Sequence, residues 1–195
     1  METGILILAA GNSSRLGQPK QLLQFNGKSL LSHVVSQALE ITQAVVIVTG
    51  SKNDEIEKEI HDLKALVMEN QNWQDGMGSS INGGLKKLLD NFPTIETVII
   101  SVCDQPFIKA SVFSELISKQ KDSQKGIVAS AYSNTLGTPV IFAKKYFPEL
   151  IALSGNEGAK KLLDKFKEDV AQISFEKGAI DIDTIEDYEQ LIKQK

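Results

Sequence analysis

The sequence predicts an α/β fold of three layers, in which a mostly parallel β-sheet lies between two layers of helices. Short apolar segments alternate with segments of helical periodicity along the chain, and this alternation favours parallel strands joined by crossover helices. The first apolar segment, GILILAA at 4–10, is apolar throughout, as is typical of a strand buried on both faces. No internal repeat or linker-like segment divides the 195 residues, so we expect one domain over residues 1–195.

The first half of the chain supplies four strands and three helices in this interpretation. Ser29 can cap a helix whose apolar residues recur at helical spacing from Leu30 to Leu39. Asn53 is the expected cap of a second helix, and the glycine-rich segment NWQDGMGSSINGG opens a third that ends near Leu89. The predicted strands are GILILAA, AVVIVTG (44–50), ALVMEN (65–70) and TVIISVCD (97–104).

The second half of the chain continues the alternation. Its predicted strands are GIVASAY (126–132), TPVIFA (138–143) and VAQISF (170–175). Helices are expected at 112–121, within KKYFPEL from 144, and at 156–166. A last helix should begin at a capping box formed by Thr184 and Asp187.

Composition and charge argue against several classes of partner and location. Hydrophobic residues make up 42% and charged residues 24% of the chain, as in ordinary globular proteins. The 21 basic and 25 acidic residues give a net charge of −4, which argues against nucleic acid or an anionic membrane as a partner. No apolar run approaches the roughly 20 residues of a membrane span. A single cysteine and the lack of a secretory signal pattern predict a cytoplasmic protein.

The loop after the first strand, LAAGNSSRLGQPK at 8–20, is the strongest indication of function. Gly11 and Gly17 let the backbone approach a ligand, and successive N–H groups can cradle an anion. Arg15 and Lys20 add a planar, bidentate cation and a mobile point charge. The segment lacks the spacing of G-x-x-x-x-G-K-[ST] and of G-x-G-x-x-G. It predicts a polyphosphate site of another type, and the alternative is a solvated loop whose glycines only serve turns.

The same segment resembles the pattern L-A-A-G-x-S-x-R-x-G-x-P-K of nucleotidyltransferases of the sugar-nucleotide and cofactor type. Every fixed position is present: Leu8, Ala9, Ala10, Gly11, Ser13, Arg15, Gly17, Pro19 and Lys20. Further segments resemble the molybdenum cofactor cytidylyltransferases and their relatives in xanthine dehydrogenase maturation. These segments are QLLQFNGKSLLSHVV, NWQDGMGSSINGGL, CDQP, GTPVIF, LSGNEGAKKLL and DIDTIEDY.

The resemblance implies a Rossmann-like fold of the GT-A nucleotidyltransferase type and a specific reaction. That reaction is the Mg²⁺-dependent transfer of CMP from CTP to the terminal phosphate of molybdopterin cofactor, with a molybdoenzyme as a transient partner. Catalysis is assigned by resemblance to Arg15, Lys20 and Asp104. Nucleotide binding is assigned to Leu8, Ala9, Ala10, Gly11, Ser13, Arg15, Lys20 and Ser80.

Asp104 and Asp183 are the candidate Mg²⁺ ligands. Asp104 ends a predicted buried strand, and Mg²⁺ prefers one or two carboxylates together with phosphate oxygens and water. Asp181 and Asp183 alternate along an extended segment and so share a face, and the resemblance favours Asp183 of the two. The alternatives are that Asp104 only caps a turn and that Asp183 only favours a helix N-terminus.

Three alternative functions are open at this point. Guanylyl enzymes of the same superfamily tend to carry glycine at the position of Ala10, so Ala10 favours CTP over GTP. A sugar or polyol phosphate could replace the molybdenum cofactor as acceptor. A non-catalytic protein that delivers cofactor to a molybdenum hydroxylase would bind the cofactor but release no pyrophosphate from CTP.

Overall fold

The computed structural model describes residues 2–11, 16–50 and 54–193. Their strands are β1 Glu2–Ala9, β2 Gln24–Phe25, β3 Lys28–Ser29, β4 Val45–Thr49, β5 Leu66–Glu69, β6 Ile95–Val102, β7 Ile127–Tyr132, β8 Thr135–Ala143 and β9 Val170–Ser174. Their α-helices are α1 Leu30–Leu39, α2 Asp54–Ile60, α3 Met77–Asn91, α4 Ala110–Ser123, α5 Phe147–Ile151, α6 Lys160–Lys165 and α7 Ile185–Lys193.

Seven of these strands form one sheet in the order β5–β4–β1–β6–β8–β7–β9, and β2 pairs with β3 in a short hairpin. Strand β8 is antiparallel to both of its neighbours, β6 and β7. The other pairings within the large sheet are parallel. The sheet is therefore mostly parallel, as the alternation of strand and helix segments predicts.

Helices cover both faces of the sheet, which confirms the three-layer α/β fold. Successive residues of β1 point to opposite faces, and Leu6 and Leu8 belong to a core that also contains Leu85 of α3 and Leu150 of α5. The intervening Ile5 and Ile7 belong to the core on the other face. Helices α1, α2 and α4 contribute to that second core, through Leu31, Ile56 and Phe113 among others.

Helix α3 lies unusually close to the sheet because a glycine faces it. A Cβ atom on Gly84 would lie 2.4 Å from Leu6 Cδ1 and 2.6 Å from Val48 Cγ2, so only glycine fits between this helix and strands β1 and β4. Helix α3 follows the parallel strand β5 and runs back along the sheet. Its N-terminus therefore lies at the carboxyl edge of the sheet, where β1 also ends.

The second half departs from the predicted pattern at β8 and α6. Ser133 and Asn134 have φ of 47° and 57°, and such a two-residue turn joins antiparallel strands. Strand β8 therefore begins at Thr135 and runs antiparallel to the rest of the sheet. The prediction of a helix from residue 156 is wrong in its first turn. Residues 156–159 continue the loop that packs against α3 through the Gly155 carbonyl, and the helix begins at Lys160.

Two of the predicted helix caps are confirmed. The Ser29 hydroxyl accepts a hydrogen bond of 3.0 Å from the N–H of Ser32. Thr184 and Asp187 exchange side-chain-to-backbone hydrogen bonds, as a capping box requires. The predicted cap Asn53 lies outside the described residues. No helix in the described part of the chain is long and apolar enough to cross a bilayer.

Candidate active site

An open pocket of about 390 Å³ lies at the carboxyl edge of the sheet, between β1, β6 and the first turn of α3. The strand order reverses here, because β4 and β5 lie on one side of β1 and β6 lies on the other. Ligands of open α/β sheets bind in the crevice at such a switch point. Six residues predicted to bind nucleotide or metal line the pocket: Leu8, Ala10, Gly11, Lys20, Ser80 and Asp104.

Lys20 forms ion pairs with two carboxylates at this pocket. Its Nζ lies 2.5 Å from Asp104 Oδ2 and 3.0 Å from Asp183 Oδ1. Burial alone would lower the pKa of Lys20, but the charge of Asp104 and the hydrogen bonds to both carboxylates outweigh it and raise the pKa above its usual range. Lys20 is therefore an ammonium ion at neutral pH, held next to two potential metal ligands.

A buried glutamine fixes the segment that carries Lys20. Residues Lys20–Leu22 form a single turn of 3-10 helix, and the side chain of Gln21 is 3% exposed. Gln21 Nε2 donates a hydrogen bond of 2.6 Å to the carbonyl oxygen of Ala9, the last residue of β1. This bond attaches the lysine-bearing turn directly to the end of the central strand.

The segment after the last strand brings the second aspartate to the site. The Ile182 N–H donates a hydrogen bond of 3.1 Å to the carbonyl oxygen of Asp104, and the Ile182 side chain is fully buried. Asp183 follows Ile182 and contacts Lys20. Burial, followed by the charge of Asp104, raises the pKa of Asp181.

The start of α3 forms the opposite wall of the pocket. Ser80 is 4% exposed, and Asn70 Nδ2 donates hydrogen bonds of 2.9 Å to the hydroxyls of both Ser79 and Ser80. Because Asn70 occupies an acceptor site of the Ser80 oxygen, the hydroxyl proton can be donated to a ligand in the pocket.

Two glycines let this wall pack against the loop before α6. The Gly78 N–H donates a hydrogen bond of 3.0 Å to the carbonyl oxygen of Gly155. Gly76 has φ of 104°, and a Cβ there would lie 2.3 Å from the same carbonyl oxygen. A side chain at either position would push α3 away from the loop.

The other predicted site residues have different placements. The Ala9 side chain is buried in the core on the face opposite α3, and its contribution to the site is its backbone carbonyl. Ser13 and Arg15 lie outside the described residues. The Cys103 thiol is buried, and burial followed by the charge of Asp104 raises its pKa to about 12. Cys103 therefore stays neutral at physiological pH.

The carboxylates of Asp104 and Asp183 fit a magnesium ion that is bound together with phosphate groups. Both contact Lys20 Nζ, so both face the same small volume. Over residues 2–11, 16–50 and 54–193, no group of three or more His, Cys, Asp and Glu side chains could hold a metal ion alone. Mg²⁺ is often held by one or two carboxylates with substrate phosphates and water. The pair therefore suits a metal–triphosphate complex better than a bare ion.

Three buried amide side chains of the site are missed by sequence reasoning. Gln21 anchors the lysine turn, Asn70 orients the serines of α3, and Gln105 follows Asp104 and donates to two carbonyls. Each lies within a segment that the sequence does single out: QLLQFNGKSLLSHVV, ALVMEN and CDQP. Only their roles are missed, and the place of Gln105 in CDQP, directly after the predicted ligand Asp104, is the signal that could have found it.

Comparison with known proteins is consistent with this geometry. A family profile described as MobA-like NTP transferase domain matches residues 5–170. The crystal structure of the Mycobacterium tuberculosis Rv0371c homologue from Mycobacterium sp. strain JC1 superposes with a TM-score of 0.82. It is 27% identical, and the match covers 99% of this chain and 98% of that chain.

The curated relatives include enzymes of molybdenum cofactor metabolism. The molybdenum cofactor cytidylyltransferase of Escherichia coli strain K12 is 22% identical over 94% of this chain and 92% of its own length. A probable molybdenum cofactor guanylyltransferase of Flavobacterium johnsoniae is 30% identical over 73% of this chain and 69% of its own length. The chain spans about a third of the bifunctional protein GlmU of Buchnera aphidicola, which is 27% identical over 146 residues and matched over 31% of its length.

Proposed function

The chain belongs to the MobA-like NTP transferase domain family, and on that premise we propose that it transfers CMP from CTP to the terminal phosphate of the molybdenum cofactor. An oxygen of the acceptor phosphate forms a bond to the α-phosphorus of CTP. The bond from that phosphorus to the bridging oxygen breaks, and pyrophosphate leaves with the electron pair. The similarity to the E. coli cytidylyltransferase over 94% of the chain supports both the nucleotide and the acceptor.

The observation that carries the proposal is the contact of Lys20 with Asp104 and Asp183 at the end of the central strands. Lys20 supplies a fixed positive charge where the departing pyrophosphate gains negative charge, and such preorganised charge is a large term in catalysis. A phosphate nucleophile is already ionised, so alignment and charge neutralisation suffice without a general base.

Asp104 and Asp183 are the residues that would hold magnesium in this reaction. A bound Mg²⁺ would supply a second positive charge to the phosphate oxygens. The backbone at Gly11 is open toward the pocket, since among the described residues a Cβ on Gly11 would meet only Lys20 Cε, at 3.7 Å. Ser13 and Arg15 keep the roles in triphosphate binding that the sequence predicts for them.

Ser80 and Ala10 support cytosine as the base. With Asn70 donating to its oxygen, Ser80 acts as a donor toward the pocket. Cytosine presents two acceptors, N3 and O2, on its pairing edge, whereas guanine presents N–H donors at the corresponding positions. The Ser80 hydroxyl proton can therefore meet one of the cytosine acceptors, and the preference for CTP over GTP rests on Ala10.

A guanylyltransferase is the second candidate. The observation that favours it is the relative named as a probable molybdenum cofactor guanylyltransferase, which is 30% identical over 73% of this chain. The acceptor and the charge arrangement at Lys20 are the same in both reactions, so only the base separates the two candidates.

Product analysis tests the proposal. The full chain is incubated with Mg²⁺, molybdenum cofactor and CTP, GTP, ATP or UTP in turn, and products are identified by mass and pyrophosphate release. We expect the cytosine dinucleotide form of the cofactor with CTP only. A guanine product would support the second candidate. A parallel set of reactions replaces the cofactor with a sugar phosphate or a polyol phosphate. A product formed only with one of these acceptors, or cofactor binding without pyrophosphate release, would contradict both candidates.

A further inference from the structure

Gln105 connects the end of β6 to two other parts of the chain from a buried position. It directly follows Asp104 and is 3% exposed. Its Nε2 donates hydrogen bonds of 2.8 Å to the carbonyl oxygen of Gly178 and 3.2 Å to that of Thr138. Thr138 belongs to β8, and Gly178 belongs to a 3-10 turn over Glu176–Ala179.

The Gly178 contact matters because this turn leads directly to Asp183. Gly178 is packed so tightly that a Cβ would lie 2.5 Å from Phe175 Cδ1 and 2.8 Å from Tyr132 Cδ1. Four residues later, the Ile182 N–H donates to the carbonyl oxygen of Asp104. The segment 178–183 is thus held at both ends by two consecutive residues, Asp104 and Gln105.

The orientation of the Gln105 amide is fixed by its partners. Both partners are carbonyl oxygens, so only the NH₂ group can face them. Gln105 Oε1 is buried and has no hydrogen-bond partner among the described residues. An unpaired buried acceptor disfavours the folded state, and an apolar side chain at this position would avoid it. The two donated bonds are therefore what the amide contributes.

We propose that Gln105 is a positioning residue that holds segment 178–183 against the end of β6, so that Asp183 meets Asp104 at the metal–nucleotide site. This inference rests on the proposed function for its catalytic consequence. Without the two donated bonds, segment 178–183 keeps the Ile182 bond but loses its attachment at Gly178, so the distance from Asp183 to Asp104 is held less tightly. Metal–nucleotide binding should weaken, while turnover at saturating metal should change less.

Three variants isolate this role. Gln105→Leu removes the unpaired oxygen together with both donors. It also leaves the carbonyl oxygens of Gly178 and Thr138 without this donor, so urea unfolding is measured for every variant. Gln105→Met introduces an unbranched side chain of similar length. It replaces the leucine variant in the same measurements if that variant does not fold. Gln120→Leu is the matched control, because Gln120 is also buried and its Nε2 donates 3.1 Å to the carbonyl oxygen of Gly126, away from the pocket.

Two measurements other than activity test whether Gln105 holds segment 178–183 against the end of β6. Mn²⁺ binding is measured by electron paramagnetic resonance in the presence of CTP, and amide hydrogen exchange is measured at Ile182. Residues that support metal ligands typically contribute about 10- to 100-fold to metal affinity. We expect a loss in that range for Gln105→Leu and faster exchange at Ile182, with both quantities unchanged in Gln120→Leu.

The kinetic readout separates positioning from general damage. In Gln105→Leu, the Mg²⁺ concentration for half-maximal pyrophosphate release should rise by about 10-fold or more, with kcat at saturating Mg²⁺ changed by less than that factor. Unaltered Mn²⁺ affinity and Ile182 exchange in a folded Gln105 variant would overturn the inference. If the wild-type chain released no pyrophosphate, the proposed function would fail, while the exchange measurement would still test the placement.

Discussion

Lys20 carries a largely buried and paired positive charge at the candidate active site. Its side chain is 11% exposed and lies between Asp104 and Asp183, of which Asp183 is the more exposed partner. Burial of an ammonium ion is unfavourable unless it is paired, and the two carboxylates supply that pairing. The same two carboxylates would be the metal ligands, so Lys20 and the metal act in one small volume.

Replacing Lys20 tests its role in neutralising the departing pyrophosphate. We expect Lys20→Ala to lower kcat by about 10²- to 10³-fold, the range for loss of one electrostatic donor. The measurement is pyrophosphate release at saturating CTP, Mg²⁺ and acceptor. Lys144→Ala is the control, because Lys144 pairs with Glu96 at 2.8 Å on the surface. Turnover of Lys20→Ala close to that of Lys144→Ala would contradict the role.

At the scale of elements, the beginning of α3 depends on glycines that no other residue can replace. Gly76 combines a left-handed φ of 104° with a carbonyl oxygen 2.3 Å from the position of a Cβ. Its ψ of −179° places it in a backbone region that is essentially restricted to glycine. Gly27, in the β2–β3 turn, has φ of 79° and no described atom within 4 Å of that position, so it gives the cost of a positive φ without a close contact.

Alanine substitutions at the two glycines should differ in their effect on stability and binding. Gly27→Ala should lower the free energy of unfolding by about 1–2 kcal/mol, the cost of left-handed backbone for a side-chain-bearing residue. Gly76→Ala should lose about 1–3 kcal/mol more through overpacking and through its glycine-only backbone region. Its KM for CTP should rise because the wall carrying Ser80 is displaced. Urea unfolding and steady-state kinetics measure both effects. Equal losses at the two positions would show that the contact with Gly155 is unimportant.

Elements and caps were predictable where the determinants are local. Residues 4–9 of strand β1 are apolar throughout, and Ser29 and Thr184 satisfy donors within three residues of themselves. The antiparallel direction of β8 was not predictable in this way. It depends on positive φ at Ser133 and Asn134, and neither residue is glycine. The partner of Gln105 at Gly178 lies 73 residues away, and no local pattern specifies such a contact.

At the scale of the whole molecule, the candidate active site forms only when distant parts of the chain meet. Lys20 and Asp104 are 84 residues apart and Lys20 and Asp183 are 163 apart, yet all three lie at one edge of the sheet. The strand order brings β1 next to β6, and the bond from Ile182 to Asp104 brings the last segment to the same place. The separate sequence motifs predicted the components of this site, and the sheet topology explains their convergence.

A crystal structure of the chain with CTP and Mn²⁺, with the metal located by its anomalous signal, would show directly whether the triphosphate and the metal bind at the ends of β1 and β6. We predict the metal between the carboxylates of Asp104 and Asp183, and the triphosphate beside Lys20 and the backbone of Ala10 and Gly11. A triphosphate bound away from the ends of β1 and β6, or a metal with neither aspartate as ligand, would contradict the proposed active site.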